Sequence, residues 1–183
     1  MARRVLFIHG AGEGAHEADA RMAAALQAEL GSAYEVDCPQ MPDEADPDRA
    51  AWARRLLDLM AGDDRPVVVG HSAGGLHLLL TLAEAPDPPP LAGLFLIAAP
   101  FCGQGGWEIG GYDLPSDLAQ RLPATLPLRL YHGDRDAVVP FAHLDLYARA
   151  LPRGMARRLP GRDHQLNENL AEVAGDIRAL EEG

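Results

Sequence analysis

The sequence predicts an α/β protein, a three-layer sandwich in which helices cover both faces of a parallel sheet. Short apolar runs alternate with helical patterns, the runs are nearly continuous in Val, Leu and Ile, and the length of 183 residues suits one domain. Because each right-handed crossover returns the chain to the same edge of the sheet, this alternation implies parallel pairing. We therefore expect residues 1–183 to form a single domain.

Six short apolar runs are predicted as strands, and the first of them is followed by a glycine turn. In chain order they are residues 5–9, 34–38, 67–70, 94–98, 128–132 and 156–159. The predicted sheet therefore has six strands.

Apolar residues at spacings of three and four predict helices between these strands. Gly31 and Gly62 end the first two helices, and a third covers residues 73–85 before Pro86. The apolar positions that define the others are Met22, Leu26 and Leu30 in the first helix, Trp52, Leu56 and Met60 in the second, and Leu166, Leu170, Val173, Ile177 and Leu180 in the last.

The chain is acidic, with 27 Asp and Glu, 16 Lys and Arg, and a formal net charge of −11. This charge repels phosphate backbones and anionic lipid headgroups, so we expect neither a nucleic-acid nor a membrane partner. No stretch approaches the ~20 apolar residues of a membrane span, and the first apolar run is too short for a signal peptide. We therefore expect a cytoplasmic protein.

The two cysteines, Cys38 and Cys102, belong to no CxxC or Cys/His cluster. Their positions therefore argue against a zinc site and against a disulfide framework.

The segment Gly70-His71-Ser72-Ala73-Gly74 fits the pattern G-x-S-x-G and lies between a predicted strand and a predicted helix. In a nucleophile elbow the serine adopts a strained conformation, and tiny neighbours let strand and helix approach each other. The turn raises the hydroxyl above the sheet, at a helix N-terminus whose partial positive charge favours an oxyanion. The alternative is a glycine-rich turn whose serine merely caps the helix.

A nucleophilic serine needs a base, and the base needs an acid that orients it. The segment after the fifth strand contains Asp134 and Asp136, and the segment after the sixth ends in His164. All of these side chains follow the carboxyl ends of parallel strands, so we expect them on the same rim as Ser72. The order serine, acid, histidine is also that of a known class of hydrolases.

These motifs resemble those of the α/β-hydrolase superfamily. The matching segments are residues 9–12, 70–75 and 133–140 together with His164, and they span nearly the whole chain. The short length and the missing cap are similar to the small serine hydrolases of the retinoblastoma-binding-protein-nine type. The resemblance implies the strand order 2-1-3-4-5-6, without a cap domain and without an additional N-terminal antiparallel hairpin.

The resemblance also implies individual roles. It makes Asp136 the orienting acid and Asp134 a residue that shapes the turn. The oxyanion hole is expected from the backbone N–H groups of Ala11 and Ala73. Asp163 departs from relatives that often have glycine before the catalytic histidine, and its charge is expected to favour the protonated form of that histidine.

Residues 101–127 join the fourth and fifth strands, where larger relatives carry a cap. This segment is rich in glycine and contains Trp107 and Tyr112, which we expect to form a mobile wall of the substrate pocket. The alternative is an ordinary surface loop whose Trp107 fills the core.

The other histidines are expected to have roles outside catalysis. Structural roles are expected for three of them, His9, His77 and His132. Surface positions are expected for His16 and His143, and His71 is the variable residue of the elbow, without a defined role.

A competing motif lies in the first turn. Gly10, Gly12 and Ala15 match the dinucleotide fingerprint G-x-G-x-x-G/A, and Asp37 stands about where a ribose-binding acid belongs. A nicotinamide-dependent oxidoreductase is therefore one alternative, although Glu13 would place a negative charge where the pyrophosphate must bind. A noncatalytic interaction domain on the same fold is another alternative, but it has no use for a triad.

Together the motifs predict a serine hydrolase that needs neither cofactor nor metal. Its expected partner is a small-molecule acyl substrate, a carboxylic ester or a related compound. The predicted catalytic residues are Ser72, Asp136 and His164.

Overall fold

The computed structural model describes residues 2–62 and 64–180. These residues build a six-stranded sheet in which every pair of neighbours is parallel, in the order β2-β1-β3-β4-β5-β6. The strands are β1 (Arg3–Ile8), β2 (Tyr34–Asp37), β3 (Val67–His71), β4 (Gly93–Ile97), β5 (Leu128–Gly133) and β6 (Met155–Leu159). The predicted fold class and strand order are thus confirmed.

Helices cover both faces of this sheet. They are α1 (Ala15–Leu30), α2 (Arg49–Met60), α3 (Ala73–Glu84), α4 (Leu118–Arg121), α5 (His143–Ala150) and α6 (Ala171–Ala179). Within residues 2–62 and 64–180, no helix combines the length and the apolar character needed to cross a membrane.

Alternating side chains of the strands supply two hydrophobic cores, one on each face of the sheet. On one face, Val5 and Phe7 of β1 pack with residues of α1 and α6. On the other face, Leu6 and Ile8 pack with residues of α2, α3 and α5, around the fully buried Trp52. Because all six strands run parallel, their carboxyl ends lie at the same rim of the sheet, which brings the loops after the strands together.

The last helix is shorter than its apolar pattern predicts. The chain turns through a 3₁₀ segment at Leu166–Glu168, in which φ is 56° at Leu166 and 55° at Asn167, and α6 begins only at Ala171. Asn167 stabilises this left-handed turn by exchanging hydrogen bonds of 2.7 and 2.8 Å with Asp163. Leu166 is nevertheless fully buried. The apolar pattern therefore predicted the burial of this residue correctly, but the prediction that it lies in the last helix is wrong. Helices α4 and α5, both short, were not predicted.

Strand β3, helix α3 and the end of β1 approach one another to backbone contact. A Cβ atom at Gly74 would lie 2.4 Å from the carbonyl oxygen of His9, and one at Gly70 would lie 2.7 Å from the Cα of Gly75. Distances this short exclude any side chain. The glycines around Ser72 are therefore required for the contact between strand and helix, as the elbow motif predicts.

We expect Gly74→Ala to destabilise the fold by about 1–3 kcal/mol, because the added methyl group overpacks a contact made by backbone atoms. Gly175→Ala is the matched control, since a Cβ at Gly175 in α6 meets no atom within 4 Å. That control should stabilise the protein by roughly 0.5–1 kcal/mol through helix propensity. Urea unfolding of both variants tests the contrast, and equal effects would contradict it.

Candidate active site

Ser72 lies on a strained turn between β3 and α3. Its φ of 52° and ψ of −127° fall outside the regions that non-glycine residues favour. Its backbone N–H donates to the carbonyl of Ile97 at 2.8 Å, which holds the turn against β4. The side chain is half-buried and does not cap α3. The capping alternative therefore does not apply.

Asp136 and His164 form a hydrogen-bonded pair on the same rim. Nδ1 of the buried His164 lies 2.8 Å from Oδ2 of Asp136, while the backbone N–H groups of Val138 and Val139 donate to Oδ1 at 2.8 and 2.9 Å. Among the described residues no hydrogen bond joins Ser72 Oγ to His164. In enzymes of known mechanism, the hydrogen bond between nucleophile and base is often long before substrate binds.

Asp134 has a different position from Asp136. It is exposed, and its Oδ1 accepts a hydrogen bond of 2.6 Å from the backbone N–H of Gly161. The bond ties the loop after β5 to the loop after β6. Asp134 thus contacts the turn, and Asp136 contacts the histidine.

His132 is a further contact of the acid that the sequence analysis interpreted only as structural. Its Nε2 lies 3.0 Å from Oδ2 of Asp136 and 3.0 Å from the carbonyl oxygen of Val139. Burial alone raises the pKa of Asp136, but hydrogen bonds from His132, His164 and two backbone N–H groups hold that pKa well below its usual range. The carboxylate is therefore ionised and fixed. The position of His132 at the carboxyl end of β5 was the available signal.

The backbone N–H groups of Ala11 and Ala73 are both available for a ligand. Among the described residues neither donates to an acceptor of the protein. A Cβ at Gly10 would lie 3.7 Å from Ser72 Oγ, so the loop that carries Ala11 packs directly against the elbow. An oxyanion hole requires two such donors that point at the oxygen of the tetrahedral intermediate.

Trp107 and Tyr112 lie together on an apolar patch beside the elbow. Both are half-buried and pack with Leu76, Leu80 and Cys102. Leu76 follows Ser72 by one helical turn, which places this patch on the flank of the serine. Trp107 therefore packs against core residues, as expected if the segment is an ordinary surface loop whose Trp107 fills the core.

Two of the remaining histidines differ from the surface positions expected for them. His143 is buried, and its Nδ1 accepts the backbone N–H of Phe101 at 2.8 Å. This bond anchors the start of the 101–127 segment to α5, which a surface residue could not do. His16 is half-buried, with Nε2 2.9 Å from the carbonyl oxygen of Cys38.

The N-terminus of α1 is occupied by a carboxylate of the protein. Glu44 accepts hydrogen bonds from the backbone N–H groups of Gly14 and His16 at 3.0 and 2.7 Å, and its own carbonyl accepts the N–H of Gly12 at 2.6 Å. A dinucleotide would need these donors for its pyrophosphate. The negative charge that opposes a nucleotide is therefore that of Glu44, whereas Glu13 is exposed.

The described residues contain no group of three His, Cys, Asp or Glu side chains arranged to hold a metal ion. Cys38 and Cys102 are both free, as expected. Burial raises the pKa of Cys38 to about 12 and that of Cys102 to about 11, so neither is a thiolate at neutral pH.

A strained serine after the third strand of a 2-1-3-4-5-6 parallel sheet, with histidine and acid on the same rim, defines the class of α/β hydrolases. The sequence profile of the Alpha/beta hydrolase family matches residues 5–180, and the chain belongs to this family. Comparison with curated protein sequences finds no match.

Solved structures share the fold at low sequence identity. A serine hydrolase involved in carbazole degradation is 16% identical, with a TM-score of 0.76 over 99% of this chain and 91% of that one. Est1E from Butyrivibrio proteoclasticus is 18% identical, with a TM-score of 0.72 over 98% and 87%. Naproxen esterase from Bacillus subtilis is 16% identical, with a TM-score of 0.69 over 97% and 83%.

We expect Asp136→Asn to lower kcat by about 10⁴-fold, because the amide permits the wrong histidine tautomer. Asp134→Asn is the matched control and should act mainly on stability. Both variants are assayed with an activated ester at equal concentrations of folded enzyme. A larger loss of kcat in Asp134→Asn would contradict the roles given to these two acids.

Acid should destabilise the fold through His77, which is buried between Trp52 and Tyr112. Burial, aided by the charge of Arg49, lowers the pKa of His77 to about 4, so the folded state resists a proton that the unfolded chain takes up near pH 6.5. Stability from this group is complete above pH 6.5 and declines as pH falls toward 4, by roughly 2–3 kcal/mol at pH 4.5.

The measurement is the free energy of unfolding in urea at pH 7 and pH 4.5, for the parent protein and for His77→Phe. Phenylalanine keeps the ring contacts and cannot titrate, so the difference between the two pH values should shrink in the variant. An equal pH dependence in both proteins would show that His77 does not carry it.

Proposed function

We propose that the protein is a serine hydrolase that cleaves small carboxylic esters or related acyl compounds through an acyl-enzyme on Ser72. The observation that carries the proposal is the free hydroxyl of Ser72 on a strained turn, on the rim that also holds the Asp136–His164 pair. Backbone strain of this kind is maintained where it serves a function.

The geometry supports a definite order of proton transfers. The ionised Asp136 accepts a hydrogen bond from Nδ1 of His164, so Nδ1 carries the proton and Nε2 is free to accept one. Nε2 takes the proton of Ser72 as Oγ attacks the acyl carbon. The N–H groups of Ala11 and Ala73 then bind the oxygen that gains charge.

The second half of the reaction returns these groups to their starting state. His164 gives its proton to the departing alcohol as the tetrahedral intermediate collapses to an acyl-enzyme. The same histidine then takes a proton from the water whose oxygen attacks the acyl carbon. It gives this proton to Ser72 Oγ as the second tetrahedral intermediate collapses and releases the acid. Trp107 and Tyr112 form the apolar flank against which the acyl group packs.

The similarity to two esterases and a serine hydrolase favours ester substrates within the hydrolase class. The described segment between β4 and β5, where larger relatives carry a cap, contains only the four-residue helix α4, which favours the small capless type similar to the retinoblastoma-binding-protein-nine hydrolases. A nicotinamide-dependent oxidoreductase is disfavoured because Glu44 fills the phosphate position at α1. A noncatalytic domain leaves the strain at Ser72 without a purpose.

We expect Ser72→Ala to reduce turnover of an activated short-chain ester by roughly 10⁴–10⁶-fold, the loss typical of triad removal. A fluorophosphonate probe should label the parent protein at Ser72, and the variant should be neither labelled nor unfolded. Circular dichroism checks the fold, and mass spectrometry locates the label. Labelling of another serine in the variant would overturn the assignment of Ser72.

A further inference from the structure

A second carboxylate–histidine contact lies behind the candidate site. Oδ2 of Asp19, on α1, lies 2.7 Å from Nδ1 of His71 and accepts the backbone N–H of Gly10 at 2.7 Å. The side chains of Asp19 and His71 are only 3% and 2% exposed. Neither contact was anticipated from the sequence, where His71 was the variable residue of the elbow.

The other ring nitrogen of His71 faces the catalytic histidine. Its Nε2 lies 3.0 Å from the backbone carbonyl oxygen of His164, and the centroids of the two rings are 4.6 Å apart. A carbonyl oxygen can only accept a hydrogen bond, and so can an ionised carboxylate. Both nitrogens of His71 must therefore donate, which only the doubly protonated imidazolium can do.

The two residues join the three segments that the reaction needs. Asp19 holds Gly10, the neighbour of Ala11; His71 directly precedes Ser72; and His71 also holds the carbonyl of His164. We propose that Asp19 and His71 form a buried carboxylate–imidazolium pair that positions the oxyanion loop, the nucleophile and the base relative to one another. This role rests on the proposed function of Ser72 and His164.

The surroundings of Asp19 favour its charged form. Burial alone raises the pKa of Asp19, but the hydrogen bond and charge of His71, the N–H of Gly10 and the charge of His9 lower it below the usual value. Two titratable groups face His71: Asp19 of α1 and His164 of the loop after β6. His9, which follows β1, acts on Asp19 through its charge. The ion pair is net neutral, which reduces the penalty of burying it.

The proposal makes a definite prediction for Asp19→Asn. The amide oxygen can still accept from Gly10 and from Nδ1 of His71, but the negative charge that pairs with the imidazolium is lost. The contact between Nε2 and the carbonyl of His164 is then weakened, and the loop that carries the base shifts. We expect kcat to fall about 10–100-fold with little change in KM, the scale found when residues that orient metal ligands are removed.

Asp176→Asn is the matched control. Asp176 is also a buried carboxylate, which accepts from Tyr131 at 2.7 Å and from Arg157 at 2.6 Å between β5, β6 and α6. This variant should lower stability and leave kcat per folded molecule unchanged. Equal losses of kcat in the two variants, or no loss in Asp19→Asn, would overturn the positioning role.

The hydrogen bonds of His71 are tested on the unaltered protein by ¹⁵N-detected histidine spectra at pH 7. We expect both ring nitrogens of His71 to carry slowly exchanging protons, assigned by comparison with His71→Gln. A neutral ring with one bare nitrogen at pH 7 would overturn the proposal. Because these spectra involve no substrate, and labelling of Ser72 by the fluorophosphonate probe involves no ion pair, the failure of one hypothesis is distinguishable from the failure of the other.

Discussion

The contact between backbone atoms of β1, β3 and α3 is the constraint on which the rest of the site depends. Gly70 and Gly74 remove the side chains that would separate these elements, so α3 starts directly at the carboxyl end of the sheet. The chain can make that junction only through the left-handed conformation of Ser72. The strain at one residue is thus balanced by the two cores that hold strand and helix in place.

Much of the fold was predictable because its signals are local. Apolar runs located all six strands to within one or two residues, and the elbow motif requires only five consecutive residues. The turn at Leu166–Glu168 was not predictable in this way, because a buried leucine at helical spacing looks the same in a helix and in a left-handed turn. Helix α5 was missed for a related reason, since its eight residues bury only His143, Leu144 and Tyr147.

For the candidate site, the position of its residues at one rim of the sheet was predictable, and the contacts that support them were not. Order along the chain and position after strands suffice to select a serine, an acid and a histidine. The partners of His71, by contrast, are 52 and 93 residues away from it, and that of His143 is 42 residues away. Imidazole has two nitrogens on opposite sides of one ring, so a buried histidine can link two segments of the chain. Sequence alone does not say which two.

The carboxylate of Glu44 at the start of α1 has a consequence for how the protein meets its substrates. Glu44 comes from the segment between β2 and α2. Its carboxylate accepts the N–H groups of Gly14 and His16, and its backbone carbonyl accepts that of Gly12, so it ties the turn after β1 to the start of α1. The turn is thus held by contacts within the protein, so a ligand bound beside Ala11 would not have to order it. Under the proposed function, acyl groups would be distinguished by how well each one fits a preorganised surface.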